Sequence, residues 1–362
     1  MSSGWRSLNW GSKKGPSTYN FMEQIGILTG GGDCPGLNPV IRAVVKSALL
    51  QKWQVLGFKN GWKGIVDDEF VILDDRQVSG ILPKGGTILG TSRTNPYKKE
   101  GDVEKLKSNF LKHNLKALIA VGGEDTLGVA NRLVQDGLPV VGIPKTIDND
   151  LSATDYTFGF DTAVNIAMEC IDRLHTTAES HNRVMVVEIM GRHAGWIALE
   201  AGLAGGADMI LIPEVPVNID EVCEVIKHRH NRGKTFSIVA VAEGARLKDS
   251  GEVADHKLDE FGHVRLGGIG QVVGSLIEKR TGYETRVTVL GHIQRGGSPT
   301  AFDRVLGTRF GVQAIELVKK KKFGRMVSLQ GRNIVDVPLG DAVKQLKTVE
   351  HDLYQMAKIF FG

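Results

Sequence analysis

The sequence predicts an α/β fold: two Rossmann-like lobes with largely parallel sheets, and an active site in the cleft between them. Three observations lead there. Short β-branched runs recur along the chain, each followed by a polar or glycine-rich loop and then a helical stretch. That alternation is the signature of strand–loop–helix units in parallel sheets. The chain has 362 residues, more than one core ordinarily supports, since cores stop growing near ~250–300 residues. Glycine supplies 45 of those residues and is clustered, at Gly30-Gly31-Gly32, Gly85-Gly86, Gly122-Gly123, Gly205-Gly206, Gly267-Gly268 and Gly296-Gly297. Such clusters suit backbones that must approach a ligand closely.

Taken in order, Gln24–Thr29 reads as a buried strand entering a glycine turn. Asn38–Gln51 then carries Val40, Ile41, Val44, Val45, Ala48 and Leu49 on one helical stripe. Ala117–Val121 is the next strand, followed by Gly122-Gly123-Glu124-Asp125-Thr126 and a helix through Leu133. Val140–Ile143 leads into Pro144-Lys145, Val184–Ile189 into Met190-Gly191-Arg192, Ser237–Ala242 into Glu243-Gly244, and Arg286–Leu290 into Gly291-His292. Ligand sites of parallel sheets lie at the carboxyl ends of strands, where these loops fall. No solenoid repeat is visible.

Bulk properties narrow the function. Net charge is +4, which does not call for a nucleic-acid face. The run Lys319–Lys322 reads as a solvated helix end. Three cysteines, Cys34, Cys170 and Cys223, without any CxxC pair point to a reducing compartment and away from structural zinc. No apolar run is long enough for a membrane span, so a cytoplasmic protein is expected. Residues 1–22, rich in Ser and Gly and lacking an apolar signal core, read as a flexible extension, with a transit peptide as the alternative.

Four features carry chemistry. The loop Gly30–Asn38 joins a strand to a helix N-terminus, an arrangement that aims backbone N–H groups at an anion. A tight structural turn explains it equally well. It is not the dinucleotide fingerprint, which fails at Pro35, and no Walker A loop exists. The nearest match, Gly233-Lys234-Thr235, has His228 where the first glycine belongs. In Gly122–Thr126, Glu124 and Asp125 place carboxylates beside a potential phosphate loop and point to Mg²⁺; helix capping by Asp125 or Thr126 is the structural alternative. In Lys145–Asp150, period-two spacing would put Thr146, Asp148 and Asp150 on one side of an extended loop. One Asp can accept a proton from an attacking hydroxyl while the other helps hold a metal. Lys145 supplies charge for a phosphoryl group. The fourth feature is a set of cations, Arg93, Arg183, Arg192, Arg286, His292 and Arg295, most of them at predicted strand ends and suited to phosphate.

Together these motifs closely resemble the phosphofructokinase family. The matching stretches are Gly31–Asn38, Gly122–Thr126, Pro144–Asp150, Met190-Gly191-Arg192-His193-Ala194-Gly195 and Leu290–Pro299, in family order over roughly residues 23–345. The resemblance implies that Asp148 is the general base for the 1-hydroxyl of fructose 6-phosphate, supported by Thr146 and Asp150, with Asp150 and Glu124 near Mg²⁺. It implies that Arg192 and Arg93 neutralise the transferred phosphoryl group. Arg183, Arg286, His292 and Arg295 match the grip on the 6-phosphate, the first two supplied by a neighbouring subunit of a homodimer or homotetramer. Met190, Gly191 and Glu243 match sugar contacts, and Gly31 a contact to the donor. The implied lobes are 23–159 plus about 294–345 for the donor and 160–293 plus about 346–362 for the sugar phosphate.

Within the family, ATP-using members typically carry glycine at the positions of Asp125 and Lys145, whereas pyrophosphate-using members carry Asp and Lys. Glycine leaves room for a nucleotide's α-phosphate; an Asp fills that room and repels its charge. A lysine suits compact pyrophosphate. The resemblance therefore implies reversible, Mg²⁺-dependent phosphoryl transfer from pyrophosphate. Glu124 departs from the family's usual Asp, which bears on the metal site. The alternatives are an ATP-dependent phosphofructokinase and a non-catalytic relative. A nicotinamide oxidoreductase fails on the missing fingerprint.

Overall fold

Two parallel sheets frame the molecule. The computed structural model describes residues 23–248, 255–258, 264–265 and 268–362; the extension expected at 1–22 lies outside them. The larger sheet has seven strands in the order β13-β12-β5-β4-β1-β2-β3. These are β1 (Glu23–Thr29), β2 (Trp53–Phe58), β3 (Phe70–Leu73), β4 (Leu115–Gly122), β5 (Val140–Pro144), β12 (Arg325–Gln330) and β13 (Asn333–Pro338). The smaller sheet has the order β11-β6-β8-β7: β6 (Val184–Ile189), β7 (Met209–Leu211), β8 (Ser237–Ala242) and β11 (Thr285–Val289). A short antiparallel pair, β9 (Asp255–Leu258) and β10 (Val264–Arg265), stands apart.

Every pairing within the two main sheets is parallel except at the two edges of the larger one, where β3 and β13 run antiparallel to their neighbours. The reason lies in burial. β4, β6 and β8 are covered on both faces and read as continuous apolar runs, whereas β13 is only half covered.

The chain leaves β1 toward β2 and β3, then returns on the other side of β1 as β4 and β5. That reversal opens a crevice at the carboxyl ends of β1 and β4, the position where open parallel sheets bind ligands. A backbone bond from Gly30 N–H to the Val121 carbonyl (2.9 Å) ties the two exit loops together. In the smaller sheet β6 lies between β11 and β8, so the loops after all three strands face one region.

One buried apolar cluster runs unbroken from Ile25, Ile27 and Val121 of the larger sheet, through Phe158, Phe160 and Ala167, to Val187, Ile189 and Ala240 of the smaller. The helix Phe160–His181 provides the bridge. Among the described residues, no helix is long and apolar enough to cross a membrane.

Candidate active site

Sequence pattern places Thr146, Asp148 and Asp150 on one side of an extended loop. The structure brings them together by a different route. Lys145 still continues β5, its N–H donating to the Gly122 carbonyl (2.9 Å). The chain then bends, and Asn149 takes a left-handed φ of 51°, a conformation asparagine tolerates better than most residues. Its buried side chain holds the bend, accepting from Thr157 N–H (3.1 Å) and donating to the Asp155 carbonyl (3.3 Å). Thr157 Oγ1 in turn donates to the Thr146 carbonyl (2.7 Å).

Within this bend Thr146 Oγ1 accepts from the Asp148 N–H (3.1 Å). Thr146 also hydrogen-bonds the Asp150 carboxyl. Asp148 Oδ1 is buried with no hydrogen-bond partner among the described residues. An unpartnered buried carboxylate oxygen is costly. Asp150 is pushed up to about 7, first by burial, then by the charge of Asp148, with Glu124 adding to it. Glu243, from the loop after β8, is also pushed up to about 7, by burial and then again by Asp148. Three carboxyls therefore crowd one site.

Lys145 turns the other way. Its side chain is buried, and Nζ donates to the Gly32 carbonyl (2.5 Å) in the loop after β1. A Cβ at Gly31 would stand 3.5 Å from that Nζ. Burial holds the ammonium below its usual value, with Arg295 adding to that, while Asp33 and Asp148 oppose it. Arg295 donates to the Asp33 carbonyl (3.2 Å), and its guanidinium lies 2.5 Å from where a Gly32 Cβ would sit. Two cations thus flank the glycine loop. Opposite, Gly85 approaches Gly297 so closely that a Cβ would meet the Gly297 carbonyl at 2.1 Å.

Glu124 and Asp125 lie exposed in the first turn of the helix Glu124–Gln135, which begins from Gly123 without a side-chain cap. Neither Asp125 nor Thr126 caps it. Thr126 is buried, its Oγ1 packed under Gly30. Arg93 is exposed in the loop after β3.

On the smaller sheet, Glu243 N–H donates to the Ile189 carbonyl (2.8 Å) and Gly244 N–H to the Gly191 carbonyl (3.1 Å). A Cβ at Gly244 would meet the Arg192 carbonyl at 2.0 Å, so the Arg192 loop can lie this close only against glycine. The Arg192 charge acts on the Glu243 carboxyl. Met190 is buried, and its N–H donates to Gln294 Oε1 (3.3 Å). That bond joins the Met190–Gly195 loop to the short 3-10 helix Gly291–Arg295, from which His292 projects into solvent.

Comparison with known proteins gives the family. The family model described as Phosphofructokinase matches residues 24–318. The chain belongs to the phosphofructokinase family. A pyrophosphate–fructose 6-phosphate 1-phosphotransferase from Streptomyces coelicolor is 57% identical over 342 residues, covering 94% of this chain and 100% of that one. An ATP-dependent 6-phosphofructokinase from Mycobacterium leprae is 52% identical over 343 residues, with 94% and 100% covered. Among solved structures, the phosphofructokinase of Saccharomyces cerevisiae superposes with a TM-score of 0.79 at 31% identity, covering 89% of this chain and 45% of that one.

Two of the expected phosphate-binding arginines do not reach this phosphofructokinase's own cleft. Arg183 precedes β6 and Arg286 sits near the start of β11, at the amino ends of the strands. β6 has six residues, so that end is roughly 20 Å from the loops at the other, at ~3.3 Å per residue. Both arginines pair with Glu284, Arg183 at 2.8 Å. The Arg183 hydrogen bond, joined by the charges of both arginines, drops the Glu284 carboxyl below its usual value.

Asn38, Asn149 and Gln294 are site residues for which sequence reasoning assigned no role. Asn38 donates to the Lys84 and Gly85 carbonyls (3.0 and 3.2 Å) and accepts from Ile88 N–H (2.9 Å), pinning the Gly85-Gly86 loop.

Glu124 and Asp150 fit Mg²⁺. The Glu124 charge acts on the Asp150 carboxyl, and Mg²⁺ takes one or two carboxylates completed by water and phosphate oxygens. Among the described residues no three His, Cys, Asp or Glu form a ready cage, so phosphate is needed to complete the set.

The raised carboxyls give a prediction. Asp150 and Glu243 bind protons more tightly folded than unfolded, so their contribution to stability is full below about 4 and is lost as pH rises through about 7. Melting of the metal-free protein between pH 5 and 8 should show a falling Tm, and Asp150→Asn should flatten part of that fall. An unchanged slope in Asp150→Asn would contradict the burial described for that carboxyl.

Proposed function

We propose that this enzyme transfers a phosphoryl group from pyrophosphate to the 1-hydroxyl of fructose 6-phosphate, giving fructose 1,6-bisphosphate and phosphate. The observation that carries this reading is the placement of Lys145, whose buried ammonium reaches the glycine loop while Asp148, three residues on, keeps an unpartnered oxygen. The lobe built on the larger sheet holds the donor; the lobe built on the smaller one holds the sugar.

Asp148 accepts the proton of O1 as O1 attacks phosphorus. The bridging P–O bond breaks and its electron pair leaves with phosphate. Arg192 and Arg93 take up charge on the transferred group, and Lys145 and Gly31 hold the departing phosphate. Thr146 orients Asp148. Met190, Gly191 and Glu243 hold the sugar, Glu243 donating a hydrogen bond while protonated. His292 and Arg295 bind the 6-phosphate. Mg²⁺, held by Asp150 and Glu124, would screen the pyrophosphate charge when bound. Formation of fructose 1,6-bisphosphate from pyrophosphate and fructose 6-phosphate, and of pyrophosphate in reverse, tests this; no turnover in either direction rejects it.

Identity to ATP-dependent relatives at 52% supports a second reading, ATP as donor. Asp125 and Lys145 weigh against it.

Arg183 and Arg286 complete the 6-phosphate site of a second subunit. Mixing inactive Asp148→Asn subunits with Arg183→Ala subunits should then restore activity, because one site in each mixed pair keeps both groups. No recovery in confirmed mixed oligomers would place Arg183 outside the site.

A further inference from the structure

Lys347 lies in the segment that follows β13, outside every motif discussed so far. Its backbone N–H donates to the Asp150 carbonyl (2.8 Å). Its carbonyl accepts from Trp196 Nε1 (3.0 Å). Its ammonium donates to the Thr154 and Asp155 carbonyls (3.2 and 2.5 Å) and lies 5.1 and 5.9 Å from the ring centres of Trp196 and Tyr156. Two residues on, Val349 N–H donates to Glu214 Oε1 (2.9 Å), and the same carboxylate accepts from Gly195 N–H (3.0 Å). Leu346 pairs with Leu151 in an isolated antiparallel bridge.

Residues 346–349 are thus sewn on one side to the loop that carries Asp148 and Asp150. On the other side they are sewn to Gly195 and Trp196, the base of the loop that carries Arg192. An open cavity of about 640 Å³ adjoins the strap, walled by Ser152–Asp155, Gly331 and residues 345–348. On that side Ser152–Asp155 face open space, and the strap supplies the contacts that hold them.

We propose that Lys347 is a positioning residue of the reaction, fixing the spacing between the Asp148 loop and the Arg192 loop so that proton acceptance and charge neutralisation meet on one substrate. This rests on the functional reading above. The two groups come from different sheets, and misplacement by about 1 Å can cost ~100-fold in rate. Lys347 touches no reacting atom, so its loss should appear in kcat rather than in substrate binding.

The test is steady-state kinetics on the full chain with Lys347→Met, Lys347→Arg and Trp196→Phe. Lys347→Met should lower kcat by about 30-fold or more with each KM within about 3-fold, Lys347→Arg should recover most of the loss, and Trp196→Phe should lower kcat by about 5-fold. A kcat within about 2-fold of wild type in Lys347→Met, or an arginine variant no better than the methionine one, overturns the proposal. If Lys347→Met does not fold, wild-type kcat in Trp196→Phe overturns it, since that change removes the donor to the Lys347 carbonyl and shrinks the ring beside its ammonium. Amide hydrogen exchange reads the strap without turnover: residues 148–155 should exchange faster in Lys347→Met and Trp196→Phe, and unchanged exchange contradicts the strap. A wild-type enzyme silent toward fructose 6-phosphate with faster exchange in the variants would overturn the reaction alone.

Discussion

Asp148→Asn is expected to lower kcat by about 10³-fold while leaving the KM for fructose 6-phosphate within a few-fold, because a general base acts in the transition state. Asparagine keeps the shape of the side chain and the Asp148 N–H bond to Thr146 Oγ1, so the loop should hold. Asp150 and Glu243 are both pushed up to about 7, by burial first and by the Asp148 charge next, and Asp150 is already hydrogen-bonded to Thr146. Single-turnover measurement separates chemistry from binding. A loss below tenfold would remove Asp148 from proton acceptance.

The second large effect concerns the donor. Asp125→Gly combined with Lys145→Gly should cut kcat/KM for pyrophosphate by about 100-fold or more and raise it for ATP, since a lost charge-assisted hydrogen bond to phosphate and a removed repulsion act in opposite senses on the two donors. Lys145 is the stronger of the two arguments: its buried Nζ lies beside Gly31 and Gly32, where the departing phosphate is placed. Asp125 stands in the first turn of its helix, where a carboxylate also favours the helix dipole, so Asp125→Gly alone should cost a little stability. Equal losses with both donors would mean that these residues support the fold and do not select the donor.

The strands that sequence identified are mostly those buried on both faces; Arg286–Leu290, matching the half-exposed edge strand β11, is the exception. Val184–Ile189 and Ser237–Ala242 match β6 and β8 residue for residue, because an apolar run between covering helices can do little else. Of the two main sheets, β2, β3, β7, β12 and β13 escaped notice. β7 has three residues, and β12 and β13 form a hairpin whose outer strand is half covered, so neither shows a run long enough to stand out. The chemical loops were legible because glycine pairs and carboxylates mark them locally.

What was not legible depends on distant partners. Asn38 works through Lys84 and Gly85, Gln294 through Met190, and Lys347 through Asp150 and Trp196. None of these pairings leaves a trace in spacing. The bend at Asn149 was missed for another reason. Alternating polar residues look the same in a strand as in a turn held by one asparagine.

The central claim is that pyrophosphate is the phosphoryl donor. The direct measurement is kcat/KM for pyrophosphate and for ATP on the same purified enzyme, with Mg²⁺ and saturating fructose 6-phosphate. The account predicts turnover with pyrophosphate, at a kcat/KM at least about 100-fold above that for ATP, the size expected when one donor meets a charge-assisted contact and the other the repulsion of Asp125. Turnover with ATP and none with pyrophosphate would contradict it.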